Sequence, residues 1–340
     1  MPNHTIDDTH VHLGHETFFQ RPDRVHGKLY VITSIFNAVR WRSRWRTLED
    51  FQKMVFRGGG ELYLSEAAFR ERDFVFAEKG NPKHLQLVVK DELWLKENML
   101  NLSLQMLPKD WEYVLFADAD IGFFRPDWAD EIRQQLQHYP VLQPWSEAHD
   151  LNDRHEIIKT FKSFAWCYHH QESSPDLNIN KNYYYTIPKN IDNNTYYWHP
   201  GYCWAFRRDA LDLLGGLIDW SILGNADRLM AHAIFQQPIP KTYNLGEHGN
   251  RWLDTWYKRA SGLYQNCGYV DGAISHNWHG PKINRQYRSR AAILEINKFD
   301  TELDLYKDWQ GVYQLTKNNS QLRDDIRVYF RSRNEDAVSE

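Results

Sequence analysis

The sequence predicts an α/β fold: a mostly parallel central sheet flanked by helices, with a second lobe on one side. Three observations carry this. Short apolar, β-branched runs alternate with segments of helical period, the order that gives strand–helix–strand crossovers. One such run, Tyr113-Val-Leu-Phe-Ala, leads directly into two carboxylates, as expected of a strand ending at a sheet's polar edge. No long Pro/Gly/Ser linker and no internal repeat divides the chain, so one compact unit with two lobes is expected.

The elements follow in order. Residues 1–26 are His- and Asp-rich, lack periodicity, and read as an N-terminal arm. Residues 29–36 are apolar and β-branched and read as a buried strand. Trp45, Leu48, Phe51 and Val55 recur at helical spacing over 42–56, and Gly58-Gly59-Gly60 ends that helix. Strands are expected at 61–65, 85–89 and 113–117, with an amphipathic helix over 92–107 that Pro108 stops. Residues 146–197, rich in Asn and Tyr towards their end, show no clear period and read as a long loop or irregular insertion. A strand over 202–206, a helix from Arg208 closed by Gly215-Gly216, and a helix over 227–235 follow. The expected division is 1–26 arm, 27–145 first half, 146–300 second half with a 175–198 loop, and 301–340 C-terminal helix and tail.

Composition narrows the function. The 340 residues carry a net charge of -4, against the basic excess of a general nucleic-acid binder, although a local basic groove stays compatible. Aromatics reach 15%, including fourteen Trp, which suits either a core of large side chains or a surface that stacks on sugars or bases. Three scattered cysteines, Cys167, Cys203 and Cys267, form no thiol-metal motif and point to a reducing compartment. The polar N-terminus and the lack of a long apolar run point to a cytoplasmic protein without integral membrane association.

Four constellations carry chemistry. Asp118-Ala119-Asp120 can set two hard oxygen ligands around one divalent cation, leaving positions for diphosphate oxygens; a solvated turn is the alternative. His276-Asn277-Trp278-His279-Gly280 can bring an imidazole to that ion from a distance, or can be a packed structural turn. Asp227 stands at a loop-to-helix junction, as a helix cap or as a general base. Positive charge gathers at Arg40, Arg42, Arg44, Arg46 and Lys96, and again at Lys282, Arg285, Arg288 and Arg290, where it suits a diphosphate, a phosphate backbone or a solvated face. Asp8-Thr-His10-Val-His12 imitates a barrel metalloenzyme motif but has neither a strand before it nor the eightfold repetition after it.

Taken together and in order, these pieces resemble the glycosyltransferase A-type (GT-A) fold family, in particular the group of β-1,4-galactosyltransferases and polypeptide N-acetylgalactosaminyltransferases. Lys96 and Asn101 precede the Asp pair, Trp204 to Gly216 and Gly224-Asn225-Ala226-Asp227 follow, and His276 to Gly280 closes the set, over roughly 28–290. The resemblance implies a GT-A-type Rossmann-like sheet with an acceptor-side lobe. It implies Mn²⁺ or Mg²⁺ held by Asp120 and His279, with Asp118 and His276 as further candidates. The donor would be a nucleotide-diphosphate sugar, UDP-sugar favoured, met by Thr33, Phe36, Asn37, Arg44, Lys96, Asn101, Asp118 and Trp204. Asp227 would be the catalytic base of an inverting transfer. Where the group carries a Glu-Asp pair this chain has Ala226-Asp227, so one acidic contact to the acceptor is missing. The acceptor would be a glycan or small molecule. DNA carrying a hydroxymethylated base is an alternative acceptor, and a non-catalytic nucleotide-sugar or glycan binding module is an alternative of another class.

Overall fold

The computed structural model describes residues 27–170, 198–239, 245–287 and 289–339. The arm at 1–26, nearly all of the 175–198 loop and Arg288 lie outside the described residues.

The first half opens with β1 (Leu29–Phe36), α1 (Arg42–Arg57), β2 (Glu61–Phe69), β3 (His84–Val89), α2 (Lys96–Leu104) and β4 (Tyr113–Ala117). β5 (Ile121–Phe123), α3 (Trp128–Gln135) and β6 (Val141–Gln143) complete it. β7 (Glu147–Leu151), β8 (Ile157–Ser163), α4 (Phe164–His169), β9 (Trp198–His199) and β10 (Cys203–Arg207) follow. Next come α5 (Arg208–Leu214), α6 (Ala226–Ile234), α7 (Gly246–Ser261), β11 (Cys267–Tyr269) and β12 (Ala273–His276). After a 3-10 turn at Lys282–Arg285 the chain ends with α8 (Ser289–Ile296), α9 (Thr301–Asp304), β13 (Leu305–Lys307), β14 (Tyr313–Leu315) and α10 (Ser320–Ser332).

The result is a mixed α/β fold with a large central sheet flanked by helices. Seven strands run in the order β11-β6-β10-β4-β1-β2-β3. β2, β3 and β4 join parallel with β1 between β2 and β4, and β11 pairs parallel with β6. Only β10 runs against its neighbours. Side chains alternate across a strand, so β1 feeds two cores: Tyr30 and Ile32 pack into one, Leu29 and Val31 into the other. Burial on both faces explains why these strands read as unbroken apolar runs.

α1 buries Ser43, Thr47, Leu48, Phe51 and Val55 along one face and stops at Gly58, as expected. α2 is shorter than the 92–107 expected, and it is not amphipathic. It buries Glu97, Asn98 and Ser103 beside Met99 and Leu100. Asn98 can be buried because its amide meets Tyr313 N (3.1 Å) and Gly311 O (3.1 Å) from the C-terminal hairpin, partners more than 200 residues away.

The expectation of irregular structure over 146–197 needs correction for its first part. β7, β8 and α4 lie there, and the two strands belong to a second sheet ordered β5-β12-β7-β8-β9. β7 alternates half-buried with buried residues, and the β7–β8 connection closes on Asn152, whose Oδ1 accepts from Arg154 N and Glu156 N (both 2.9 Å). The strands are short and half polar, so their pattern is weak in sequence. The two sheets interleave along the chain: β5 from the first half joins the second sheet, while β10 and β11 return to the first.

Candidate functional site

The central sheet aims β4 at the site. Its last residue, Ala117, is pinned from below by Thr33 Oγ1, which donates to the Ala117 carbonyl at 2.8 Å. The chain then passes Asp118 and Asp120 before β5 carries it into the second sheet. The Asp118 amide donates to the Tyr202 carbonyl at 2.8 Å, so the tip cannot drift away from β10.

Tertiary pairing brings His276 to this tip. It ends β12, opposite Ile121 of β5 on one side and Asp150 of β7 on the other. Its Nε2 lies 3.7 Å from Asp120 Oδ2 and 3.3 Å from His279 Nε2, and His279 Nε2 lies 2.9 Å from Asp120 Oδ2. Asp120, His276 and His279 thus offer one ligand atom each, all within 4.8 Å of one another. Asp118 points elsewhere: Lys96 Nζ bonds it at 3.0 Å and reaches Glu97 at 3.4 Å.

Electrostatics divide the two carboxylates. Burial raises Asp118, Lys96 offsets this in part, and its pKa stands at about 6. Burial also opposes ionisation of Asp120, but His276, His279 and Arg285 outweigh it and hold it below the ordinary range. Glu97 is raised to about 7 by burial, despite Lys96. Burial acts against the Lys96 charge, and Asp118, Glu97 and Asp227 override it, so the ammonium persists well above its usual pKa.

Asp227 sits in the first turn of α6, second after the N-cap Asn225, and so is not the cap itself. Its Oδ1 accepts from Arg228 N at 2.8 Å. Its other oxygen lies against Gly201, where a Cβ would come within 2.8 Å of it. Its charge is felt at Lys96 and Asp118, so it shares their side of the site.

A cleft of about 80 Å³ opens above the tip, lined by Phe36, Arg44, Trp94, Lys96, Asp118, Asp120, His279 and Arg333. Of the residues expected to meet a donor, Phe36, Arg44, Lys96 and Asp118 line it. The others do not. Thr33 and Trp204 are buried, bonded to Ala117 O and to Pro200 O (2.7 Å). The Asn37 amide closes a turn on Trp41 (2.8 Å for both bonds). Asn101 brackets Leu217, donating to its carbonyl (3.0 Å) and accepting from its amide (2.9 Å), and so braces the loop after Gly216.

The basic strip at 282–290 also needs correction. Lys282 pairs with Asp150, Arg285 is buried against His279 (2.9 Å), and Arg290 is buried against Tyr329 (3.1 Å). These three charges turn inward: Lys282 and Arg290 meet buried partners from remote segments, and Arg285 meets His279 just before it in the chain.

Several site residues were missed. Asp150 and Tyr202 stand behind His276. Glu335, almost fully buried, binds Arg44 and Arg333 and lies 3.6 Å from His279 Nδ1. No motif marks any of them.

The donor set fits a divalent cation. Among the described residues Asp120 Oδ1 is buried without a hydrogen-bond partner, and the Arg285 guanidinium already stands against His279 Nε2, a stand-in for positive charge at this point. Two imidazoles and one carboxylate suit Mn²⁺ better than Mg²⁺, which prefers oxygen alone.

No protein-family model matches the sequence, and no curated protein does. Among solved structures, a mutant Drosophila β-1,4-galactosyltransferase 7 in complex with manganese, UDP-Gal and xylobiose is similar at 11% identity, covering 86% of this chain and 96% of that one, with a TM-score of 0.38. A Desulfovibrio desulfuricans protein solved under the description of a nucleotide-diphospho-sugar transferase is similar at 10% identity over 90% and 98% of the chains, with a TM-score of 0.32. The 4-diphosphocytidyl-2C-methyl-D-erythritol synthase of Anaerococcus prevotii is similar at 10% identity over 90% and 95%, with a TM-score of 0.31. Likenesses this distant assign neither a family nor an activity, and the functional reading stands on the site.

Proposed function

We propose that this chain is a metal-dependent glycosyltransferase of the GT-A type, moving a sugar from a nucleotide-diphosphate sugar to an acceptor hydroxyl on a glycan or small molecule. The observation that carries the reading is the convergence of Asp120, His276 and His279 at the carboxyl tip of β4, beside a cleft whose lining includes Lys96, Arg44 and Arg333. The same donor set serves ferrous iron in other proteins. Here the neighbouring Lys96, Arg44 and Arg333 favour an anionic ligand over dioxygen chemistry.

Asp120, His276 and His279 would hold the ion, which when bound would neutralise charge on a diphosphate leaving group. Lys96 stays protonated and, with Asp118, faces the same cleft, where it adds a fixed donor for phosphate oxygens. Asp227, near Lys96 and Asp118 at the start of α6, would take the proton of the acceptor hydroxyl as that oxygen attacks the anomeric carbon. A base acting from the face opposite the leaving group would make a single displacement and therefore inversion. UDP as the carrier rests on the resemblance to the galactosyltransferase group. Among the described residues no helix is long and apolar enough to cross a membrane.

The test is a panel of nucleotide sugars, with and without Mn²⁺, read by thermal shift and then by product formation. A UDP-sugar should raise the midpoint only with the metal, and Asp227→Asn should lower turnover by about 10²–10⁴-fold while retaining donor binding. Turnover that survives EDTA, or an Asp227→Asn enzyme of near wild-type rate, would sink the reading. Salt-dependent binding to duplex DNA would move the acceptor to DNA. Donor binding without hydrolysis or transfer would leave a non-catalytic module.

A further inference from the structure

His276 is a ligand atom with a support behind it. Its Nδ1 lies 2.9 Å from Asp150 Oδ1. Asp150 is 1% exposed, and two other groups hold it: Tyr202 donates its hydroxyl to the same oxygen at 2.9 Å, and Lys282 pairs with the second oxygen. A carboxylate only accepts, so the proton of this contact belongs to His276 Nδ1. That leaves Nε2 with its lone pair directed at Asp120 and His279.

The alternative tautomer would do the opposite. With the proton on Nε2, the ring could donate towards Asp120, satisfy that carboxylate internally, and withdraw a ligand from the cluster. Asp150 would then face a bare Nδ1 lone pair at 2.9 Å, two acceptors in contact without a proton and away from water. Asp150 therefore selects the tautomer in which His276 can bind a cation.

Tyr202 ties this support to the sheet. It holds a left-handed backbone, φ 76°, unusual for a tyrosine, and its ring stacks on His199 with centroids 4.1 Å apart. Its carbonyl accepts from Asp118 N while its hydroxyl holds Asp150. One residue thus links the backbone of the β4 tip to the carboxylate behind His276.

We infer that Asp150 is a positioning residue for the cation site, holding His276 in the Nδ1–H tautomer with Nε2 towards Asp120 and His279, and that Tyr202 and Lys282 fix Asp150 for this task. This rests on the metal reading above. Carboxylates placed so behind a ligating histidine raise its basicity and fix its ring, and their loss typically weakens metal affinity by about 10–100-fold.

Two measurements test it. The first needs no metal and no altered Asp150: a long-range ¹H–¹⁵N spectrum of the wild-type chain, with the His276 signal assigned by its loss in His276→Gln. The Nδ1–H pattern is expected, and an Nε2–H pattern overturns the inference. The second is the Mn²⁺ dissociation constant, read from the electron paramagnetic resonance of free ion, for wild type, Asp150→Asn, His276→Ala, the double variant of these two, and Asp120→Ala. Asp150→Asn should bind about 10–100-fold more weakly, and the double variant should bind no worse than His276→Ala alone, since both act through one ring. Wild-type affinity in Asp150→Asn, with the loss retained in His276→Ala, overturns the inference and leaves the metal reading standing. Unchanged affinity in both His276→Ala and Asp120→Ala overturns the metal reading instead, and the metal-free spectrum still decides the tautomer. If Asp150→Asn does not fold, that spectrum decides alone.

Discussion

Gly280 offers the sharpest test of how the site is held together. It has φ +85°, and a Cβ there would come within 2.7 Å of Glu335 Cα and 2.8 Å of Asn334 O. Both are backbone atoms, so no rotamer change relieves the clash. Gly280→Ala therefore meets two costs: about 1–2 kcal/mol for an L-residue in the left-handed region, and about 1–3 kcal/mol for the overpacking. Gly59 separates them. Its φ is +77°, but among the described residues nothing lies within 4 Å of its Cβ position, so Gly59→Ala carries the conformational cost alone. Urea unfolding at constant slope should show Gly59→Ala about 1–2 kcal/mol below wild type and Gly280→Ala a further 1–3 kcal/mol lower. The wedge should also lift the tail off the His turn. That tail is attached by Trp278 Nε1 to Ala337 O (2.6 Å), by the Asp336 carboxylate on the first amides of α1 (3.0 and 2.8 Å), and by Glu335 between Arg44 and Arg333. Limited proteolysis should then cut after α10 in Gly280→Ala and leave Gly59→Ala intact. Equal destabilisation of the two variants would refute the close approach of tail and turn.

Three further outcomes follow from single contacts. Asp336→Ala removes the acceptor for Arg42 N and Ser43 N and should destabilise the chain by about 1 kcal/mol in the same assay, as loss of a helix cap does; no change would mean that water replaces it fully. Burial and Arg228 hold His232 down to about 4, while its Nδ1 meets Pro238 O at 2.7 Å. The unfolded chain therefore binds the extra proton first, and stability should fall by up to about 3 kcal/mol as pH drops from 6.5 to 4. His232→Asn should flatten that slope, and an unchanged slope would place the acid sensitivity elsewhere. Asn101→Ala should lower the unfolding midpoint, because Leu217 N and O lose their partner, while donor affinity stays at the wild-type value. A loss of affinity at unchanged stability would return Asn101 to the donor site.

The parts that were legible in sequence are those whose information is local. β4 was expected at 113–117 and lies there, since five consecutive buried residues leave no ambiguity of face. α5 was expected to end at Gly215-Gly216 and does, because Gly215 takes φ 77° in the C-cap. The second sheet was not legible. β7 and β8 carry Glu, His, Asp, Lys and Thr, and only pairing with β12 reveals which of these face inward. Asn101 and Trp204 were associated with the donor by their place in a motif, yet their polar groups bond the loop at Leu217 and the carbonyl of Pro200.

The sequence by itself determined the alternating α/β plan, the carboxylate pair at the end of β4, and the two histidines of the 276–280 segment as candidate ligands. These depend on residue type, period and spacing within a few turns of chain. Tertiary structure alone decided that His276 and His279 both converge on Asp120, that Asp118 pairs with Lys96, and that Asp150 and Glu335 stand behind these groups. The reason is register and burial. A strand pairing sets His276 opposite Asp150 across 126 residues, a C-terminal tail delivers Glu335 across 291 residues to Arg44, and neither distance leaves a mark on the sequence near its ends.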